Sequence, residues 1–216
     1  MLDIFLRGRW FFLAGFLAFV FSVSGGLKTA MVPDNALTVW FLQSDPKLKE
    51  YHRFHEQFGN DEVILLEVER TDSIFTHETL TTLHTLGVEL EKIPGVERVN
   101  SLVTLDDAFQ REGGLVFEPA IPTPVPSDPA VLAKFKDQLT QNMMFADRLI
   151  SRDGKRAMLW IQMQVMGDID ARRDSIVAEV SATADRVLGD TPHPMGGIGV
   201  IYSGLNVVTQ ADASKF

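Results

Sequence analysis

The first pattern along this chain is a long apolar block near its N-terminus. No charged residue lies between Arg9 and Lys28. As a helix, the 18 residues from Trp10 to Leu27 would span about 27 Å, close to the ~30 Å hydrocarbon core of a bilayer. The block therefore predicts a membrane-spanning helix within residues 1–32.

The charges beside this block predict its orientation. Because Arg7 and Arg9 precede it, the positive-inside rule places the N-terminus in the cytoplasm and the main domain in the periplasm. A cleaved signal peptide is the alternative, since "SVSGG" offers small residues to a signal peptidase. The apolar block is, however, longer than the usual ~7–15 residues of such a peptide. N-terminal sequencing of the mature protein separates the two, because a start near Gly25 would contradict the anchor.

The polar part of the chain opens with a predicted helix and strand. In "DPKLKEYHRFHEQFG", Asp45 is suited to cap the helix, Pro46 to occupy its first turn and Gly59 to end it. "EVILLEVE" follows and is rich in strand-forming residues. The apolar residues of this helix share one face at helical spacing: Leu48, Tyr51, Phe54 and Phe58.

A second helix and strand complete a β-α-β unit at about 62–105. "THETLTTLHTLGVELEKIPG" predicts the helix, with Thr76 as its cap and Pro94-Gly95 as its stop. "VERVNSLVTL" predicts the returning strand. The apolar face of the helix contains Leu80, Leu83, Leu86, Gly87, Leu90 and Ile93.

Residues 106–129 contain half of the ten prolines, which predicts an extended linker or surface loop. The following half, 130–204, begins with a helix in "DPAVLAKFKDQLTQNMM". "ADRLISRDGKRAMLWIQMQV" then predicts a hairpin that turns at Asp153-Gly154. The apolar residues on one side of the predicted helix are Val131, Leu132, Phe135 and Leu139.

The chain ends in a helix, a strand and a short tail. "DIDARRDSIVAEVSATADRVLG" predicts the helix and "MGGIGVIYSG" the strand, while residues 205–216 start a further segment. The stripe predicted to be buried on the helix is Ile176, Val177, Val180, Ala184, Val187 and Leu188.

Two β-α-β halves, at about 62–105 and 155–203, predict an α+β fold of the ferredoxin-like, split β-α-β type. The helices would lie on one face of the sheet, in a domain that spans residues 33–204 and carries the Pro-rich insertion.

Composition narrows the functional classes. A net charge of −9 argues against nucleic acid as a partner, because binding nucleic acid requires a basic face. The absence of cysteine excludes disulfides, thiolate metal sites and cysteine nucleophiles. Arg7, Arg9 and Lys28 outnumber Asp3 in the first 32 residues, so a basic apolar start leads into an acidic body. That asymmetry supports a membrane segment followed by a soluble domain.

The stretch "HRFHEQFGNDEVILLEVER" contains the first candidate site. His52 and His55, with Glu56 nearby, have the residue types of a metal site. A usable site needs three or four convergent ligands, however, and His55 falls on the apolar face of its helix. Asp61 and Glu62 are adjacent in an emerging strand and should point to opposite faces, which predicts a helix–strand junction.

The remaining candidates also favour structural roles. His77, Glu78 and His84 are expected on a solvated helix face. "MGGIG" lacks the Lys-Ser or Lys-Thr of a phosphate-binding loop, so a close backbone approach within the sheet is expected. No serine sits in a nucleophile elbow. We therefore assign no catalytic, cofactor-binding or metal residue, and expect that the protein is not an enzyme.

Three glycines fall in or just after the apolar block. Gly15, Gly25 and Gly26 would allow close packing of this helix within a larger bundle, or flexibility where the chain leaves the membrane.

The order of these segments resembles a known family. A lone apolar helix leads to a helix ending in "FG-x-DE" before a strand. "IPGV-x-x-V-x-S" closes the first β-α-β unit, and "IS-x-DG" opens the second. The chain is similar to the first membrane helix and first periplasmic, porter-like domain of resistance–nodulation–division (RND) transporters. The nearer branch is that of MMPL-like lipid exporters and hopanoid transporters.

The resemblance implies proton-driven efflux of hydrophobic or amphipathic substrates, including lipids, across the bacterial inner membrane. Family members are longer, and residues 205–216 would lead to their second membrane helix. On this interpretation the chain is an N-terminal portion that does not transport alone. The acidic residues that carry protons in the family lie in a membrane helix beyond this sequence, so none is assigned here.

The implied partners are the lipid bilayer, the remainder of the transporter and a lipid-like substrate. A homo-oligomer or accessory periplasmic proteins are further candidates. By analogy, an apolar groove would be lined by Phe145, Met158, Trp160 and Met163, although a contribution of each to the core is the simpler interpretation. The alternative function is a single-anchor periplasmic binding or assembly domain that needs no further membrane helices.

Overall fold

The computed structural model describes residues 10–23, 41–42, 44–59, 61–111 and 114–213, and these residues form a mixed α+β structure. The helices are α1 (10–23), α2 (Pro46–Phe58), α3 (His77–Glu91), α4 (Pro129–Gln141), α5 (Ile169–Leu188) and α6 (Ile198–Ala213). The strands are β1 (Val63–Glu69), β2 (Val96–Asn100), β3 (Asp106–Arg111), β4 (Gly114–Pro119), β5 (Arg156–Met163) and β6 (Met195–Gly196). The predicted α+β class is confirmed.

A four-stranded sheet forms the centre of the described structure, in the order β2-β5-β1-β6. In this order β5 lies between β1 and β2, the two strands that α3 connects. Each neighbouring pair of strands is antiparallel. Leu66 pairs with Leu159 near the middle of β1 and β5. Helices α3 and α5 contact each other, and their apolar faces share one core with the sheet.

The period-two patterns of β1 and β5 place alternate side chains in this core. Ile64, Leu66 and Val68 are fully buried, and the residues between them are only half-buried. In β5 the buried set is Ala157, Leu159, Ile161 and Met163. The predicted apolar face of α3 is confirmed, and the predicted stripe of α5 is buried except for the partly buried Val187.

The linker predicted at residues 106–129 is wrong in its first half. Strands β3 and β4 form an antiparallel hairpin from the pair Asp106–Pro119 to the pair Arg111–Gly114. The prolines begin only at Pro119, so residues 106–118 keep every backbone donor. The proline content of residues 106–129 therefore led to a wrong prediction for residues 106–118, because all five prolines lie at or beyond the end of the hairpin.

The strand predicted from "VERVNSLVTL" ends early, at Asn100. The Thr104 hydroxyl accepts a hydrogen bond from Ser101 N at 2.8 Å and donates one to Val99 O at 2.8 Å. Ser and Thr side chains compete in this way with a strand ladder for backbone groups. The chain turns at 101–105 for this reason.

The β3–β4 hairpin is fastened to α4 through a buried carboxylate. Asp107 accepts hydrogen bonds from Asn142 Nδ2 at 3.0 Å and Gln138 Nε2 at 3.3 Å.

We expect Asp107→Ala to destabilise the protein by about 1–3 kcal/mol, because two amide donors lose their acceptor. Denaturant titration followed by circular dichroism measures the change. The neighbouring Asp106→Ala, at an exposed position, is the matched control, and an equal loss there would contradict the role of Asp107.

Two further predictions in the second half need correction. The first arm of the hairpin predicted at 146–165 is not a strand, because Ile150 forms only isolated bridges to Ala146 and Ala157. "MGGIGVIYSG" contributes a strand of only two residues, after which α6 begins at Ile198. A short apolar run without alternation does not distinguish a strand from a helix, and here the helix prevails.

Just before β6, the chain runs alongside β1 without forming a regular strand. Glu67 N donates to Pro194 O at 3.0 Å, and Glu69 N donates to Pro192 O at 3.2 Å. Between these prolines, Nδ1 of the His193 ring lies 2.6 Å from Thr191 O. This outer edge of the sheet is therefore short and irregular.

Helix α1 covers the described part of the predicted membrane span. Every described side chain in it is exposed, and a Cβ added at Gly15 would meet no atom within 4 Å. Across the described residues, no helix has both the length and the apolar character needed to cross a membrane. Residues 24–27 of the predicted span lie outside the described residues, as do the flanking Arg7, Arg9 and Lys28.

Candidate functional site

Charged and aromatic side chains from α2, α5 and α6 gather where β1 begins. We call this group the junction cluster. It includes His55, Asp61 and Glu62 from the stretch singled out in the sequence, together with residues far along the chain. Its members are Tyr51, His55, Asp61, Glu62, Asp170, Arg173 and Tyr202.

A buried ion pair forms the centre of the cluster. Arg173 Nη2 lies 2.5 Å from Glu62 Oε1, and Arg173 Nε donates to Glu62 Oε2 at 3.1 Å. The Arg173 side chain is only 2% exposed and that of Glu62 10%. Asp170, one turn earlier on α5, accepts from Arg173 Nη2 at 2.6 Å. This two-point geometry ties the start of β1 to the first turns of α5.

Helix α6 joins the cluster through an aromatic ring. The guanidinium carbon of Arg173 lies 5.0 Å from the centre of the Tyr202 ring, within the range of cation–π attraction. Burial by itself lowers the pKa of Arg173, but hydrogen bonds and charges from Glu62 and Asp170 outweigh it and raise the pKa. Arg173 is therefore a permanent cation.

Helix α2 joins the cluster through Asp61. The Tyr51 hydroxyl donates to Asp61 Oδ1 at 3.3 Å, and the rings of Tyr51 and His55 contact each other with centroids 4.0 Å apart. His55 Nε2 lies 3.4 Å from the same oxygen but outside hydrogen-bonding geometry, so this buried nitrogen has no hydrogen-bond partner among the described residues. Asp61 therefore faces α2, whereas Glu62 faces α5.

The two tyrosines of the cluster should resist ionisation. Burial, followed by the charge and hydrogen bond of Asp61, raises the pKa of Tyr51, and burial followed by the charge of Asp61 raises that of Tyr202. The chain has only two tyrosines, so Tyr51→Phe leaves Tyr202 as the one reporter and the reverse holds for Tyr202→Phe. We expect tyrosinate absorbance in each variant to appear above the ordinary value of about pH 10.

Alkaline stability follows with a defined sign. A folded-state pKa above the unfolded value contributes stability that is present below about pH 10 and is lost as the pH rises through the folded value. Titration of either single-tyrosine variant near pH 10, without unfolding, would contradict these environments.

Only part of the junction cluster was identified from the sequence. Arg173 occupies the buried stripe of α5, where an apolar residue is usual, and this is the one signal that reasoning from sequence missed. Asp170 and Tyr202 carry no comparable signal, because both are half-exposed. Among the described residues no three His, Cys, Asp or Glu side chains are placed to hold a metal ion.

The other candidate residues lie apart from the junction cluster. His77 is exposed and its Nδ1 lies 3.2 Å from Pro126 O, beside a cavity of about 390 Å³ that Ser73 and Lys136 also line. Glu78 is exposed and His84 half-exposed. In "MGGIG", a Cβ on Gly197 would lie 2.6 Å from Val63 O, so the predicted close backbone approach is confirmed.

The residues suggested for an apolar groove divide between two environments. Phe145 and Met163 are 1% and 0% exposed, so the simpler interpretation, that they contribute to the core, is confirmed for these two residues. Trp160 is 45% exposed and Met158 half-buried, on the face of the sheet away from the core. A cavity of about 230 Å³ lies beside Met158, bordered by Glu67, Arg156 and the segment 147–151.

Comparison with known proteins adds no family assignment. The chain matches no model of a known protein family, and a search of curated proteins gives no significant match.

Proposed function

We propose that this chain is the N-terminal portion of an RND-type, proton-driven exporter of hydrophobic or amphipathic substrates, lipids among them. The order of the sequence motifs and the strand order β2-β5-β1-β6 support the proposal. With β5 inserted between the strands that α3 connects, we further propose a ferredoxin-like, split β-α-β domain of the porter type.

The placement of the chain follows from the same proposal. The apolar block around α1 would anchor it in the inner membrane with its N-terminus in the cytoplasm. The domain from residue 33 to 204 would then lie in the periplasm. Its partners would be the bilayer and the remainder of the transporter, with further copies of this chain or accessory periplasmic proteins as additional candidates.

The open face of the sheet is the part of the domain best suited to an apolar substrate. Leu65 pairs with Trp160 across β1 and β5, and Met158 lies two residues along the same face. Trp160 presents a large apolar surface to solvent without a charged neighbour directly opposite it. We propose that this face contacts the substrate on its route out of the membrane.

A single-anchor binding or assembly domain is the second candidate. The contiguous core of the described domain, which is built from the sheet, α3 and α5, supports it. Such a domain would use the same open face for binding but would need no proton-conducting helices.

The reading frame downstream of codon 216 tests the first proposal against the second. An exporter predicts apolar segments of about 20 residues, one of them with a buried acidic residue. A stop codon in a functional gene would favour the single-anchor domain.

A transport measurement then tests the role of the open face. Inner-membrane vesicles are prepared from a strain that lacks the gene. Expression of the complete reading frame in that strain should restore export of a labelled lipid in these vesicles. Trp160→Glu should reduce that export, whereas Glu97→Gln at an exposed position of β2 should not. Equal export by both variants would remove the open face from the proposed route.

A further inference from the structure

The open face of the sheet changes from apolar to charged along its strands. Near the middle of this face Leu65 lies opposite Trp160 in the ladder of β1 and β5, and four residues further along β1 Glu69 lies opposite Arg156. Side chains of directly opposite residues in an antiparallel pair lie on the same face of the sheet. An apolar surface therefore leads directly into a group of charges.

The cavity of about 230 Å³ lies at the charged end of this face. Met158 forms part of its wall and continues, two residues along β5, to the exposed Trp160. Asp147 and Arg148, from the segment before β5, line another part of the wall. A polar compartment and an apolar surface are thus adjacent, which is the arrangement that an amphipathic molecule requires.

Glu67 is a carboxylate of the cavity that retains capacity for a ligand. Its Oε1 lies 3.7 Å from Arg156 Nε, whereas the same guanidinium binds Glu69 Oε1 more closely, at 3.3 Å from both Nε and Nη2. Within the described residues the Glu67 side chain accepts no hydrogen bond, and it is 30% exposed. An ionised carboxylate can accept several hydrogen bonds, so Glu67 is open to a donor in the cavity.

Arg148 is the complementary cation. It is exposed, and across the part of the chain that the structure describes its side chain has no ion-pair partner. The neighbouring Asp147 does not neutralise it, because Asp147 Oδ2 accepts from Arg152 Nε at 2.6 Å. A guanidinium group with free donors is suited to bind a phosphate through two parallel hydrogen bonds.

The charges of the four ionisable residues that line the cavity cancel. Glu67 and Asp147 contribute two carboxylates, and Arg148 and Arg156 contribute two guanidinium groups. A head group with negative charge alone would lie against the carboxylates, and one with positive charge alone would lie against the arginines. A head group that carries one charge of each sign is complementary to both.

We infer that this cavity binds the head group of a zwitterionic amphiphile that contains a phosphate and a primary ammonium. The phosphate lies on Arg148, the ammonium donates to Glu67, and the hydrocarbon chain lies over Met158 toward Trp160. The inference rests on the proposed function, because it specifies which amphiphile the open face receives.

Trp160 can report the binding directly. The chain has three tryptophans, so Trp10→Phe with Trp40→Phe leaves Trp160 as the single fluorophore. The full chain in a neutral detergent is titrated with phosphatidylethanolamine that carries bromine on its acyl chains, which quenches an indole on contact. Phosphatidylglycerol with the same brominated chains is the anionic comparison. Half-maximal quenching should require a roughly tenfold lower concentration of phosphatidylethanolamine, as expected for one additional charged hydrogen bond.

Variants in the same background assign the preference to the two charges. Arg148→Gln and Glu67→Gln should each raise the concentration of phosphatidylethanolamine for half-maximal quenching roughly tenfold. Arg186→Gln, which removes an exposed arginine of α5, is the matched control and should leave that concentration unchanged. Because Arg148 is exposed, its replacement leaves the core intact and decides the question if Glu67→Gln does not fold.

The outcomes separate this inference from the proposal on which it rests. Equal quenching by the two lipids, or an unchanged titration in Arg148→Gln, would overturn the head-group site and leave the open face as an apolar contact surface. No quenching by either lipid would overturn both the head-group site and the proposed role of the open face. The exporter proposal itself is decided independently, by the reading frame downstream of codon 216.

Discussion

Replacing Arg173 with methionine should destabilise the folded protein by about 3–5 kcal/mol, because the change leaves the buried Glu62 carboxylate without its counter-ion. Taken as a whole residue, backbone included, Glu62 is only 7% exposed, so water cannot replace the two lost hydrogen bonds. Methionine has a similar length and fills most of the space, so lost packing contributes little. Denaturant titration followed by circular dichroism measures the difference.

A second arginine on the same helix provides the control. Arg186 lies 3.6 Å from Glu89 in an exposed pair, and Arg186→Met should change stability by less than about 1 kcal/mol. The double variant Glu62→Gln with Arg173→Met should recover part of the loss, since no charge then remains buried. If Arg173→Met and Arg186→Met had equal effects, the buried pair would not be the cause.

Substituting alanine for Gly197 should cost at least about 2 kcal/mol through two independent effects. Its φ of 94° lies in the region that disfavours L side chains. A Cβ would also lie 2.6 Å from Val63 O and 3.2 Å from Leu65 N, and both atoms belong to the backbone of β1. Because neither atom can rotate away, β6 and α6 would have to shift away from the sheet.

Gly204 in the following helix is the matched control. A Cβ there meets no atom within 4 Å, and alanine favours a helix over glycine by up to about 1 kcal/mol. Gly204→Ala should therefore leave stability unchanged or raise it. The midpoint of thermal unfolding should fall for Gly197→Ala and should not fall for Gly204→Ala. A fall in both variants would point instead to a general sensitivity of α6.

Periodicity predicted the elements that bury one face and expose the other. The apolar faces predicted for α3 and α5 are buried in the structure, with Val187 only partly buried. The predicted caps of α2 and α3 are also confirmed, with the side chains of Asp45 and Thr76 accepting backbone hydrogen bonds. Local chemistry was sufficient for these elements.

Elements that depend on distant partners were missed. The β3–β4 hairpin depends on Asp107 reaching Asn142, and no local pattern encodes that contact. The junction cluster joins residues more than 100 positions apart, since Glu62 and Arg173 are separated by 111 positions. Asp61 and Glu62 were expected to face different sides, but the cation that fixes Glu62 becomes evident only when α5 packs on the sheet.

The brevity of β6 has a consequence for association between molecules. Sheet edges offer unpaired backbone groups on which a second chain can add a strand, and very short edge strands limit this addition. Here the edge strand has two residues and the chain bends into α6 directly afterwards. The Thr191 carbonyl just before it is contacted by the ring of His193, two residues further along the chain. At the opposite edge, Glu97 and Arg98 place charges on the exposed side of β2. Both borders of the sheet thus oppose edge-to-edge aggregation of the domain.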